Sequence, residues 1–216
     1  RRPMKIVALR QVLVLGLLQT GAFTALIQWA LVAGGAGKTV VLVYTMPFWT
    51  IPIAWWVLGE RIRGLQWLTI GIAACGLVLV LEPWNMRGSP LSNVLALLGG
   101  LTWAAAAVHA KRMRRDHEFD LLALTAWQML FGALAVCVLA LVLPSRAIDP
   151  TPYFYGALVF NAVFATGLAW LLWLYILQHV SAGMAGLSAL GIPMISVLAG
   201  WIELGEQPSS TELGGM

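Results

Sequence analysis

Charge is what this sequence has least of. Only 10% of its 216 residues are charged, 13 basic and 9 acidic, against about 25% in an ordinary soluble domain. That scarcity excludes a disordered chain, a nucleic-acid-binding module and nearly every soluble enzyme. Cysteine is almost as scarce. Cys75 and Cys137 both lie inside apolar runs and read as small buried hydrophobes, not as a disulfide or a metal site. No Cys/His cluster has metal-ligand spacing, no glycine-rich phosphate loop appears, and no signal peptide is expected within these residues. No metal, nucleotide or other cofactor is expected, and no catalytic residue stands out. The net charge of +4 does not imply a nucleic-acid partner, because the basic residues are spread between apolar blocks. Residue 1 is arginine, so the native start is expected to lie upstream.

What is abundant is apolar: 60% of the chain. Seven blocks can be drawn, at Gln11–Val32, Lys38–Leu58, Gly64–Leu81, Leu91–Ala110, Leu121–Leu143, Tyr153–Gln178 and Ala182–Leu204. Each approaches the roughly 20 residues that cross about 30 Å of hydrocarbon as a helix. Barrel strands would be shorter and would alternate in polarity. The expectation is an all-α, polytopic transmembrane bundle, with the lipid bilayer as its surroundings. Counting Lys and Arg in alternate loops sets the orientation. Arg1, Arg2, Lys5, Arg10, Arg61, Arg63, Lys111, Arg112, Arg114 and Arg115 fall on one side, and Lys38, Arg87 and Arg146 on the other. The richer side is cytoplasmic, which places residues 1–10 there.

The sequence also repeats itself. Gln11–Glu60 lies over Ala157–Glu206 without a gap at an offset of 146 residues. Thr20-Gly21 falls on Thr166-Gly167, Ala36-Gly37 on Ala182-Gly183, Pro47 on Pro193, Trp55 on Trp201 and Gly59-Glu60 on Gly205-Glu206. Chance matches between apolar segments share leucines, but rarely a proline, a tryptophan and Gly-containing dipeptides in one register. Pro47 and Pro193 are five helices apart, and an odd number of crossings reverses direction. The copies are therefore expected upside down relative to each other, as in inverted-repeat transporters.

The ordered pattern is Pro47, Gly59-Glu60-Arg61, Gly71 and Gly76, then Leu101-Thr102-Trp103-Ala104 ending in Lys111-Arg112, then Pro193 and Gly205-Glu206-Gln207-Pro208. It resembles the EamA-like branch of the drug/metabolite transporter superfamily over essentially the whole chain. The resemblance implies ten helices in two inverted five-helix repeats, of which this chain would carry seven. Residues 1–90 would hold the end part of the first repeat (three helices). Residues 91–216 would hold the second (four helices, its last missing). It also implies export of amino acids, metabolites or drugs.

Individual residues carry two readings each. Pro47 and Pro193 fall near the middle of their blocks, where a proline frees a carbonyl. They either line a solute path as hinges or merely kink for packing. Gly59-Glu60 and Gly205-Glu206 close the repeat helices, glycine suiting a left-handed terminus and glutamate the start of the next helix. A gate is the competing role. No acidic or basic residue sits mid-block, so a buried proton relay is not visible. The polar candidates for a substrate cavity are Gln28, Tyr44, Thr45, Gln128, Asn161 and Ser188, with Trp29, Trp49, Trp103 and Trp170 as flat walls for an aromatic solute. Taken together, the residues suggest a secondary transporter (exporter) in the bacterial inner membrane. It moves small neutral, zwitterionic or aromatic metabolites by alternating access. A membrane-embedded enzyme or a non-transporting assembly protein is the alternative. Oligomeric state is not legible.

Overall fold

The computed structural model describes residues 6–34, 42–62, 64–81, 89–116, 120–142, 150–192, 194–195, 202 and 210–215. Among them every regular element is helical. Helix α1 spans 6–34 as α-helix Ile6–Gly16, a π-helical turn Leu17–Ala22 and α-helix Phe23–Gly34. It is followed by α2 (Met46–Leu58), α3 (Gln66–Leu81), α4 (Pro90–Asp116) and α5 (Leu121–Val142). Helix α6 again has three pieces: Pro152–Phe160, a π-helical Asn161–Leu168 and Ala169–His179. Then come α7 (Ala182–Ser188) and a short α8 (Ser210–Gly215). Leu9–Ala33, Pro90–Asp116, Leu121–Val142 and Pro152–His179 are long and apolar enough to cross a membrane. Helices α2 and α3 are shorter and equally apolar. With this composition the chain is an integral membrane protein.

Local chemistry explains the helix starts. Thr151 Oγ1 accepts from Phe154 N–H (3.1 Å) with Pro152 in the first turn. Asp120 Oδ1 accepts from Ala123 N–H (2.8 Å), and Ser181 Oγ from Met184 N–H (3.2 Å). Each satisfies a donor the helix itself cannot. At the other end of α2, Gly59 adopts φ +69°, the left-handed closure that glycine allows without strain.

Helix α4 lies at the centre. Its Ala96, Gly99, Gly100, Ala104, Ala106, Ala107 and Ala110 are buried, so α1 and α2 approach its backbone closely, as small residues permit where no water drives association. A Cβ on Gly100 would stand 3.1 Å from the Val43 carbonyl oxygen. Helices α1 and α5 cross just as closely, where a Cβ on Gly132 would stand 2.6 Å from the Gly16 carbonyl oxygen. Ser92 Oγ donates to Ala30 O (2.7 Å), and His109 Nε2 to Gln11 O (3.0 Å), tying α4 to both ends of α1. Cys75 and Cys137 are exposed and unpaired rather than buried. The outer face of a membrane bundle is as apolar as its core, so an apolar neighbourhood does not mark the inside.

The second and seventh blocks are not unbroken rods. Leu42 and Val43 are helical, Tyr44-Thr45 form a turn, and only then does α2 begin. Pro47 is therefore the second residue of a helix, where its missing N–H costs nothing, and not the mid-helix kink the sequence suggested. In the seventh block α7 stops at Ser188, Ala189-Leu190 form a turn, and 191–192 and 194–195 are helical again. Pro193, Gly205 and Glu206 lie outside the described residues. These irregularities follow the 146-residue offset. It carries the π turn 17–22 onto 163–168, inside the second π segment, and the turn 44–45 onto 190–191, one residue from 189–190.

Candidate solute path and its charged end

Two groupings of side chains stand out, one inside the bundle and one at its basic end. The interior one centres on the π turn of α1. A π turn widens the helix and re-aims its side chains, and such turns recur at functional sites. Here Gln19 is turned fully inward, 1% exposed, yet neither its Oε1 nor its Nε2 has a partner among the described residues. Next to it, Thr20 Oγ1 donates to Gln128 Oε1 of α5 (3.2 Å), which leaves Gln128 Nε2 unpartnered. Trp103 of α4 and Trp173 of α6 meet with ring centroids 4.5 Å apart and planes tilted by 46°. The Trp173 indole N–H is likewise buried without an acceptor. Tyr44 and Trp170 pack on the same core as Trp103.

The structure thus gathers Tyr44, Trp103, Gln128 and Trp170 in the interior. Others go elsewhere. Gln28, Trp29 and Trp49 are on exposed faces, and the Trp49 indole donates to Thr45 Oγ1 (3.2 Å). Thr45 Oγ1 in turn donates to Leu42 O (2.8 Å), closing the break before α2. Asn161 is exposed, with its amide spent on Ala157 O (2.9 Å). Ser188 Oγ donates to Ala185 O (2.7 Å). These polar groups are satisfied within their own helices, as Ser, Thr and Asn side chains often are. Gln19 and Trp173 are the additions. The signal for Gln19 was its position beside Thr20-Gly21, the dipeptide shared by both copies of the repeat.

The second grouping is ionic. Glu60, just past the end of α2, forms a 2.8 Å ion pair with Lys111 of α4 through Oε1. Its Oε2 accepts from Ala182 N–H (3.0 Å), the first residue of α7. Glu60 therefore sits at a helix N-terminus as the sequence suggested, but at that of α7, not of the next helix. Its charge is favourable there for the same reason. Lys111 also donates to Val180 O, Arg114 to Leu174 O (3.0 Å) and Arg115 to Leu58 O (3.4 Å). This end of α4 thus fastens α2, α6 and α7 together. Two cavities flank Glu60: one of about 200 Å³ between α2, α3 and α7, and one of about 450 Å³ among the basic residues. Glu60 is also where the antiparallel α2 and α7 begin to pack. Further along, a Cβ on Gly183 would stand 3.2 Å from Ile51 Cγ1, and one on Gly186 3.3 Å from Pro47 Cα.

Residues 1–82 and 90–216 match the EamA-like transporter family. The chain belongs to that family. Its similarity extends to an uncharacterized transporter, YoaV, of Bacillus subtilis (strain 168), 26% identical across 92% of this chain and 69% of YoaV. An uncharacterized inner membrane transporter, YedA, of Escherichia coli (strain K12) is 27% identical across 82% of this chain and 57% of YedA. An uncharacterized transporter of Archaeoglobus fulgidus is 28% identical across 92% of this chain and 70% of its own length. A solved crystal structure shares the fold, with a TM-score of 0.79 over 97% of this chain and 74% of its own, at 18% identity. Family and relatives are named as transporters rather than enzymes.

Proposed function

We propose that this EamA-like chain forms the path of a secondary transporter. In this reading it exports small neutral, zwitterionic or aromatic metabolites, such as amino acids or drugs, by alternating access across the bacterial inner membrane. Residues 1–10 are on the cytoplasmic side. Residues 1–90 and 91–216 belong to two inverted repeats. The observation that carries the reading is the interior group of buried atoms without partners among the described residues, Gln19, Gln128 Nε2 and the Trp173 N–H, Gln11 Oε1 nearer the start of α1 being the other. Each such group costs about 1–3 kcal/mol when left unsatisfied. They are retained in an interior that also holds the tilted Trp103–Trp173 pair, because a passing solute satisfies them. Amide and indole donors suit a carboxylate or carbonyl, and the Gln19 carbonyl suits an ammonium or amide. Flat Trp103 and Trp173 suit an aromatic or planar apolar part.

Two further features support alternation. Helix breaks at membrane depth are tolerated where they line a cavity, and here they precede Pro47 and fall at Ala189-Leu190, on helices that pack antiparallel. Pro47 is taken as a hinge, with Pro193 as its counterpart. Glu60 is taken as part of a closure at the cytoplasmic end, with Gly59 as its turn and Gly205-Glu206 as the counterpart. No acidic residue stands near the middle of any of the seven apolar blocks, so exchange or facilitated flux is favoured over proton coupling. The test uses the full-length protein in proteoliposomes with labelled neutral and aromatic amino acids. Flux should follow the solute gradient and change little under an imposed pH gradient. Proton-driven accumulation that vanishes in Glu60→Gln would overturn the uncoupled mechanism, and absence of any flux would overturn the transport reading.

A further inference from the structure

The 450 Å³ cavity at the basic end has a charge pattern that the transport path does not use. It is bounded by Lys111, Arg114 and Arg115 with a single carboxylate, Glu60, and by the apolar side chains of Leu58 and Leu177. Both oxygens of that carboxylate are occupied, one by Lys111 and one by Ala182 N–H, so its charge is already answered. Two guanidinium groups remain. A guanidinium has five N–H donors in a planar fork. Among the described residues Arg114 directs one to Leu174 O and Arg115 one to Leu58 O. The Arg114 bond orients its head, and among the described residues most donors of both groups have no protein acceptor.

We propose that this cavity binds a phosphate oxyanion through Arg114 and Arg115. Guanidinium forks match the paired oxygens of a phosphate, and charge-assisted bonds of this kind are the strong ones. The surroundings indicate which phosphate. Arg10, Arg61 and Arg112 are at the ends of helices or loops on this same side, which is where an anionic leaflet attracts basic residues. Leu58 and Leu177 give the site an apolar wall, which a hydrated inorganic ion does not need and the acyl chains next to a phospholipid's phosphate do. The occupant is therefore the phosphodiester of an anionic phospholipid, with soluble phosphate as the competing source. The inference rests on the membrane topology and stands whether or not the transport reading holds.

The experiment is native mass spectrometry of the delipidated full-length protein, titrated separately with phosphatidylglycerol, phosphatidylcholine and inorganic phosphate. Phosphatidylglycerol should bind in preference to phosphatidylcholine. Binding should weaken roughly tenfold or more in Arg114→Gln/Arg115→Gln, the loss of at least one charge-assisted bond. Arg10→Gln/Arg112→Gln removes the same charge from the same end but not from the cavity, and should weaken binding far less, through the loss of general attraction alone. Arg115→Gln alone keeps the Arg114–Leu174 bond, guards against misfolding, and should give an intermediate loss. Persistence of phosphatidylglycerol binding in excess inorganic phosphate supports the lipid as source. Displacement by inorganic phosphate at matched ionic strength supports the oxyanion site with a soluble ligand. Equal losses in both double variants, or none in either, would overturn the proposal.

Discussion

The Glu60–Lys111 pair gives the sharpest test of how the basic end is held. The two side chains meet at 2.8 Å, each 24% exposed. Exposed pairs contribute about 0–1 kcal/mol and breaking fully buried ones costs about 3–5, so this half-buried pair should be worth about 1–2 kcal/mol. Glu60 also caps α7 through Ala182 N–H, a role worth about 1 kcal/mol. The two contributions separate by substitution. Glu60→Gln retains an acceptor for Ala182 and loses only the ion pair, about 1–2 kcal/mol. Glu60→Ala loses both, about 2–3 kcal/mol. Lys111→Met should cost somewhat more than Glu60→Gln, because it also removes the donor to Val180 O, and the Glu60→Gln/Lys111→Met double variant little more than Lys111→Met alone. The coupling is then about 1–1.5 kcal/mol. In a chain of this size each kcal/mol corresponds to about 2–4 °C in Tm, which thermal unfolding in detergent resolves. High salt should narrow the gap between wild type and Glu60→Gln. Strict additivity of the two single variants, within about 0.3–0.5 kcal/mol, would mean that the pair does not link α2 to α4 energetically.

Other substitutions reach the remaining claims. Gln19→Met replaces an unpartnered buried amide with an apolar side chain of similar shape, and should raise unfolding stability by about 1–3 kcal/mol while lowering solute flux; lower stability would mean that Gln19 has a partner. Gly132→Val should destabilise by more than about 3 kcal/mol, because its side chain meets Thr20 and the Gly16 carbonyl at the α1–α5 crossing; normal Tm and expression would place that crossing further apart. Single cysteines at Arg114 and Arg146, in a background lacking Cys75 and Cys137, should label from opposite sides of the membrane; labelling from one side sinks the topology. An oxidised Ile51→Cys/Gly183→Cys cross-link at the α2–α7 packing site should leave flux largely intact, whereas Glu60→Cys/Ala182→Cys should stop it until reduced. Equal inhibition by both would argue against motion about that site.

The sequence was informative where a local rule has few exceptions. Block length specified the long helices α1, α4, α5 and α6, and Gly59 the left-handed closure of α2. It was blind where the deciding partner is distant or the background uniform. Nothing near Glu60 announces Ala182, 122 residues away, and the turn before α2 leaves no mark in an unbroken apolar run, so Pro47 read as a kink. Gln19 and Gln28 make the clearest case. At about 100° per residue, nine residues put them about 180° apart on one helix. One is buried and the other exposed. In a soluble helix the polar face would show which side is out. A membrane helix is apolar all round, so the sequence offers two glutamines and no reference direction. The π turn at Leu17–Ala22 shifts the phase further, and only packing reveals it.

The same geometry links the interior to the basic end. Pro47 lies against Gly186 near the start of α2, while Leu58 ends that helix beside Glu60 and the α7 N-terminus. Eleven residues of helix make a lever of about 16 Å. A tilt of about 10° around Pro47 moves the far end by about 3 Å, which stretches a 2.8 Å ion pair to about twice its length. The loss, about 1–2 kcal/mol for the pair, is of the size that separates conformers populated at a few per cent from dominant ones. In the proposed transport reading, a solute that satisfied Gln19 and Gln128 would contribute a comparable amount. Neither effect needs a charge inside the membrane. A neutral interior with one ion pair at its rim is therefore sufficient for two states of similar free energy, exchanged by solute binding alone.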